Sequence, residues 1–428
     1  MKKYLRSLAA IFLSICMVLG YNSISTIASA NDNSTSQAES VSESVIADAA
    51  TADTEEVQSD NASGLENPFF TAITQVCIVV DDRDKYVKNF EEYGFKDWKF
   101  TDFNEDVITD GENFGKPGEV SFLCATNKTC DVELEIIQPV SEGTTYDKFL
   151  KEKGPGIHHI LVTRGNNYED TMAFLGSRDV GIQTKATFLE DRPVVGGMSF
   201  MYPDTVKDLA MITEFVDTDF TPDDKYDENG KNIANVANQE HPEEEDTDDD
   251  DDDAPFFTEI TQVCIVVDDR DKYVKNFEEY GFKDWKFTNF NDEVITNGEN
   301  FGKPSEVSFL CATNKTCGVE LEIIQPVSEG TTYDKFLKEK GPGIHHILVT
   351  RGHSYEETMD FLESRDVGIQ TKATFLESRP VVGGMSFMYP DTVKDLAMIT
   401  EFVDTDFTPD DKYDESGKNI ANVAPDNN

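Results

Sequence analysis

Short apolar runs and stretches of helical spacing follow one another along residues 68–216, in the pattern of a mixed sheet carrying few helices. Residues 73–80 form an apolar, β-branched run of strand length. Residues 84–93 set Tyr86, Val87 and Phe90 at helical spacing, and Gly94 stops that helix. Strands are expected near 98–103, 120–125 and 132–137. The order then recurs, with a strand at 157–163, a helix at 168–177, and strands near 183–188, 199–202 and 209–216. Two successive β-α-β-β-β units predict two half-sheets that curl into one cup.

The whole pattern is written twice. Pro68 to Ala237 returns as Pro255 to Ala424 at a constant offset of 187, differing at 14 of 170 positions. A repeat of domain size excludes solenoid stacking. The predicted fold class is therefore α+β: two tandem modules, residues 67–237 and 254–424, each a cup-shaped mixed sheet from paired β-α-β-β-β units, with a short tail at 425–428. A chain of 428 residues also exceeds what one hydrophobic core of roughly 250 residues supports. Each module is expected to have its own core and to be independent of its twin.

The remaining segments are not expected to pack. Residues 1–30 carry Lys2, Lys3 and Arg6, then an apolar stretch, then Ala28-Ser29-Ala30, the layout of a cleaved secretory signal. Residues 31–66 are rich in Ser, Ala and acid and read as a tether, and 238–253 as an acidic linker whose like charges extend it. A formal charge of -47 excludes nucleic acid as a partner. After signal cleavage nothing is expected to insert in a membrane, and the oligomeric state is left open.

Candidate chemistry falls at equivalent places in the two halves of a module. Gln75 and His159 lie on the first strand of each half, Glu135 and Glu214 on the fourth. If first and fourth strands pair centrally, alternation aims all four into the cup, where an oxygen-rich set suits a divalent first-row metal. The bland alternatives are solvent-facing Gln and Glu and a structural His158-His159 pair. Cys77 shares the parity of Gln75 and is expected to face the cup, as a small buried hydrophobe or, less simply, as a ligand. Cys124 and Cys130, with Cys311 and Cys317, flank short hairpin-like loops and are expected to form disulfides. Glu119 is a third candidate acid/base group, weighed against a solvated strand residue.

At these residues the chain resembles the vicinal oxygen chelate superfamily, which includes glyoxalase I, methylmalonyl-CoA epimerase and extradiol dioxygenases. The run FLKEKGPGIHHI from Phe149 to Ile160 is most similar to the epimerases, whose second histidine binds metal. ITQVCIVV from Ile73, LEIIQP from Leu134, and YPD from Tyr202 followed by ITEF from Ile212 resemble the family's opening, fourth and closing strands. The resemblance implies one divalent ion per module, zinc, nickel, cobalt or manganese. Its ligands would be Gln75, Glu135, His159 and Glu214, and again Gln262, Glu322, His346 and Glu401. Epimerases usually have His where Gln75 stands, whereas Gln, Glu, His, Glu is like the set of eukaryotic-type glyoxalase I. The implied function is a secreted metal-dependent isomerase, epimerase or lyase acting on a small oxygenated molecule through a metal-stabilised enolate. Glu135, Glu214, Glu322 and Glu401 would be its acid/base groups. The alternative is a non-catalytic protein that binds and sequesters a small molecule.

Overall fold

The computed structural model describes residues 65–218 and 254–405, apart from 131, 193–194 and 380–381. The expected signal, acidic linker and tail, and the expected tether up to residue 64, lie outside the described residues; the tether's end is corrected, since Leu65 is buried in the core. In the first module β1 (Phe70–Val79), β2 (Lys99–Phe103), β3 (Ile108–Asn113), β4 (Lys116–Pro117), β5 (Phe122–Asn127) and β6 (Glu133–Pro139) make the first half. Then β7 (Gly156–Arg164), β8 (Ile182–Phe188), β9 (Ser199–Pro203) and β10 (Ile212–Val216) make the second. The helices are α1 (Arg83–Glu92), α2 (Thr145–Lys153), α3 (Tyr168–Ser177) and the single turn α4 (Val206–Leu209).

The second module repeats this as β11 (Phe257–Val266), β12 (Lys286–Phe290), β13 (Ile295–Asn300), β14 (Lys303–Pro304), β15 (Phe309–Cys317), β16 (Val319–Pro326), β17 (Gly343–Arg351), β18 (Ile369–Phe375), β19 (Ser386–Pro390) and β20 (Ile399–Val403). Its helices are α5 (Arg270–Glu279), α6 (Thr332–Lys340), α7 (Tyr355–Ser364) and α8 (Val393–Leu396).

Each module is one ten-stranded curled sheet in the order β2-β5-β6-β1-β7-β10-β9-β8-β3-β4. First and fourth strands do pair at the centre, β1 with β6 and β7 with β10, both parallel, while β1 and β7 join the halves antiparallel. The sheet is covered on both faces at residues 76–79, which is why that end of β1 reads as an unbroken apolar run. Its Val76, Ile78 and the adjoining Val80 enter the core on the helix side; Cys77 and Val79 enter the cup side.

Two elements escaped the hydrophobic pattern. The β3–β4 hairpin leaves the first half and closes the far edge against β8, and its only large apolar residues are Ile108 and the exposed Phe114 in the turn. Helix α2 starts on a Thr144 cap, ends at Gly154 with φ 72°, and places Tyr146, Phe149 and Leu150 in the core on the cup side. The strand expected at 209–216 is divided: α4 turns the chain, Ala210 takes φ 55°, and the strand begins at Ile212.

The independence expected of the modules is corrected. One buried cluster spans both, from Phe69, Phe90, Tyr93 and Phe95 to Phe256, Phe257, Tyr280 and Phe282. The contacts are reciprocal. Phe69 N–H donates to Tyr280 O at 2.9 Å and Phe256 N–H to Tyr93 O at 2.8 Å. Arg178 binds Asp208 at 3.1 Å and Glu279 at 2.8 Å, and Arg365 repeats this with Asp395 and Glu92 at 3.2 and 2.8 Å. Gly94 has φ +87°, and a Cβ there would lie 2.8 Å from Pro255 Cα, so glycine serves both the helix stop and the approach of the other module.

The expected disulfides are also corrected, since none of the six described cysteines is in a disulfide. Cys124 faces the cup and Cys130 the helix-side core, on opposite faces of the sheet; Cys311 and Cys317 are divided in the same way.

Candidate metal centre

The cup floor is laid out by strand register. Cys77 on β1 lies opposite Glu135 on β6 and His159 on β7, forming one row. One pleat along, Gln75 lies opposite Glu133 and Leu161, and Glu214 on β10 is opposite Leu161. The β1–β7 register slips between Cys77/His159 and Ile78/Ile157, so His158 is the extra residue of a bulge. A bulge breaks alternation and can re-aim a side chain, and here two consecutive histidines meet, Nδ1 to Nδ1, at 2.7 Å.

Hydrogen bonding fixes the tautomer of the second histidine. Gln183 Nε2 donates to Asp204 Oδ1 at 2.7 Å, which leaves Gln183 Oε1 to accept the Thr145 hydroxyl at 2.5 Å. With its proton spent, Thr145 Oγ1 accepts from His158 Nε2 at 3.1 Å. Burial and neighbouring His159 hold His158 neutral, its pKa well below the usual value. Its Nδ1 is therefore bare and accepts from His159 Nδ1, which turns the bare Nε2 of His159 toward the cup. Asp391, Gln370, Thr332, His345 and His346 repeat the relay, with Thr332 Oγ1 3.0 Å from His345 Nε2.

That Nε2 lies 2.9 Å from Glu214 Oε2 and 3.5 Å from Glu135 Oε2, and in the second module 2.9 Å from Glu401 and 3.6 Å from Glu322. Despite this closeness His159 Nε2, Glu135 Oε2 and Gln75 Oε1 are buried without a hydrogen-bond partner, as are His346 Nε2, Glu322 Oε2 and Gln262 Oε1. A bare nitrogen lone pair facing carboxylates in a dry site is repulsive until a cation comes between them.

Without a metal that cation is a shared proton. Burial works against charge on His159, but the Glu135 and Glu214 carboxylates outweigh it and raise the imidazole to about 9. In the second module burial lowers His346 to about 3 and raises Glu322 and Glu401 to about 8. Near-identical geometries thus place the proton on different atoms, so it belongs to the cluster rather than to one residue.

The structure brings Glu135, His159 and Glu214 together as expected from sequence, with Cys77 beside them on the cup face expected for it. The donor atoms of Cys77, Glu135 and His159 lie within 4.8 Å of one another, as do those of Cys264, Glu322 and His346. Gln75 shares the cup face, but its Nε2 donates to Glu133 Oε1 at 2.7 Å. Glu133 was missed, although its parity with Glu135 signals the same face. The relay was missed because a bulge cannot be read from alternation. Glu119 is exposed and accepts from Ser121, outside the cluster.

Around the polar floor stands an aromatic wall. Phe103 and Phe122 stack at 4.3 Å and pack with Phe188 and Phe200. Tyr146 donates to Tyr202 at 2.5 Å, and Tyr202 in turn hydrogen-bonds Glu214. Cys124 donates to Glu135 Oε1 at 3.3 Å.

A family model for the Glyoxalase/Bleomycin resistance protein/Dioxygenase superfamily matches residues 74–183 and again 261–374. Among solved structures, a mutant of 4-hydroxymandelate synthase from Streptomyces coelicolor is similar at 11% identity, over 78% of this chain and 92% of that one, with a TM-score of 0.40. Streptomyces coelicolor methylmalonyl-CoA epimerase in complex with 2-nitronate-propionyl-CoA is similar at 21% identity, over 34% of this chain and 96% of that one, with a TM-score of 0.25. A search of curated protein sequences gives no match. With both cups built on the same sheet and both matched by the family model, more than half of its length in all, this chain belongs to the Glyoxalase/Bleomycin resistance protein/Dioxygenase superfamily.

Proposed function

We propose that this chain is a secreted metal-dependent isomerase, epimerase or lyase acting on a small oxygenated molecule, with one divalent ion per module. Zinc, nickel, cobalt and manganese are the candidates, held by Gln75, Glu135, His159 and Glu214 and by Gln262, Glu322, His346 and Glu401. The observation that carries this reading is the convergence on each cup floor of buried donor atoms that lack a hydrogen-bond partner. A bound divalent ion supplies positive charge to two neighbouring substrate oxygens as negative charge develops on them.

The protein's own residues do the rest. Glu214 takes the proton from the carbon beside the substrate carbonyl, its pKa raised by burial toward that of a useful base. Tyr146 and Tyr202 hold that carboxylate in place through their hydroxyl chain. The His158 relay holds His159 in the tautomer that presents Nε2. The phenylalanine wall excludes water from the developing charge.

The test is proton exchange: the purified secreted form is incubated in deuterated water with a panel of small hydroxy- and keto-carbonyl compounds. Deuterium uptake next to the carbonyl is expected for one of them, and is expected to disappear on chelation and in Glu214→Gln with Glu401→Gln. The aromatic wall also favours a second reading, a protein that sequesters a small apolar ligand. Tight binding from the panel with no exchange in the metal-loaded protein supports that reading instead.

A further inference from the structure

We propose that Cys77 and Cys264 are metal ligands, each giving a thiolate to the ion beside Glu135 and His159 or Glu322 and His346. This rests on the metal-binding reading above and adds a donor to it. The argument starts from register: Cys77 is the residue on β1 that lies opposite both Glu135 and His159, and its side chain is fully buried on the cup side. Its sulfur, a Glu135 oxygen and a His159 nitrogen lie within 4.8 Å of one another. Two of the atoms that share this space, Glu135 Oε2 and His159 Nε2, lack any hydrogen-bond partner.

The neighbouring cup residues differ from Cys77 in position or partner. Gln75 lies one pleat along, with its amide donating to Glu133. Cys124, the second thiol on this face, donates to Glu135 Oε1 at 3.3 Å, an interaction that steadies a ligating carboxylate without joining the convergent set.

On binding, the sulfur–metal bond forms as the S–H bond breaks, and the proton passes to solvent; no electrons are exchanged. A soft thiolate beside imidazole and carboxylate favours zinc or cobalt over manganese or magnesium, which prefer all-oxygen sets.

The test uses cobalt(II) with the full mature chain. A thiolate bound to cobalt gives an intense near-ultraviolet charge-transfer band, whereas nitrogen and oxygen donors give only weak visible bands. The unmodified protein is expected to show that band at two cobalt ions per chain. The band is expected to halve in Cys77→Ser, to vanish in Cys77→Ser with Cys264→Ser, and to persist in Cys124→Ser with Cys311→Ser. Cobalt bound at two sites without the band in the unmodified protein overturns the thiolate ligand and leaves the metal centre standing. No cobalt bound at all overturns both.

Discussion

Two buried polar regions of this molecule are built to opposite rules. At the seam between the modules, Arg178 satisfies Asp208 and Glu279, Tyr280 donates to Asp208 at 2.9 Å, and Asn276 donates to the Asp208 carbonyl at 2.8 Å. The mirror set around Arg365, Asp395, Tyr93 and Asn89 is equally paired. On the cup floor, which is more deeply buried, Gln75, Glu135 and His159 keep donor atoms with no hydrogen-bond partner. Polar groups that close on one another specify how two surfaces dock, whereas polar groups left open in a dry cavity are arranged for something that enters. The 14 differences between the modules point the same way, because no described differing position is buried in either copy. Asn167 with Asp170 becomes Ser354 with Glu357, and the helix keeps a side-chain cap in both forms.

The largest effect expected from breaking one side of this comparison is at the seam. Phe69→Ala removes a ring packed at 5.3 Å on Tyr280 from the core the modules share. It should cost about 3–5 kcal/mol in denaturant unfolding and leave the cobalt or zinc stoichiometry of the folded protein unchanged. Next is the relay behind the metal-facing histidine. His158→Ala frees the tautomer of His159 and should weaken metal binding in the first module by roughly 10–100-fold, as metal titration of the folded variant checks.

The third effect is on pH. Glu322 and Glu401 are raised by burial to about 8, so below that pH the site holds a proton that a metal must displace. Metal affinity should therefore rise with pH, by roughly tenfold per unit for each proton displaced, and the rise should become shallower above about 8, where the thiol proton is still released on binding. Titration by calorimetry across pH 6 to 9 checks the sign, on the order of a few units of range around the raised value. The smallest effect is at the exposed acid: Glu119→Gln should change stability by less than about 0.5 kcal/mol and metal binding not at all.

Much of this was legible in the sequence, for reasons that particular residues make plain. Period-two alternation around Gln75, Glu135 and Glu214 reports the face of a strand directly, so the cup-facing residues and the β1–β6 and β7–β10 pairs could be read from it. His159 was read the same way and by the family's motif, but its neighbour His158 was not, because alternation fails at the bulge. The β3–β4 hairpin was hidden because it is mostly polar. The shared core was hidden for a different reason. Phe69, Phe90 and Phe95 look like any module's own core, and nothing in a linear pattern says that the surface they pack against is a second copy. The same blindness produced the expected disulfides, since spacing across a loop does not tell which face each cysteine takes.

The most direct test of the account is the number of divalent ions bound per chain, counted by calorimetry and elemental analysis in the unmodified protein and in His159→Ala. All the donors of each site come from one module, so the account predicts two ions for the unmodified chain and one for the variant, with the remaining site at unchanged affinity. Two ions in both proteins, or none in the unmodified chain, would contradict it.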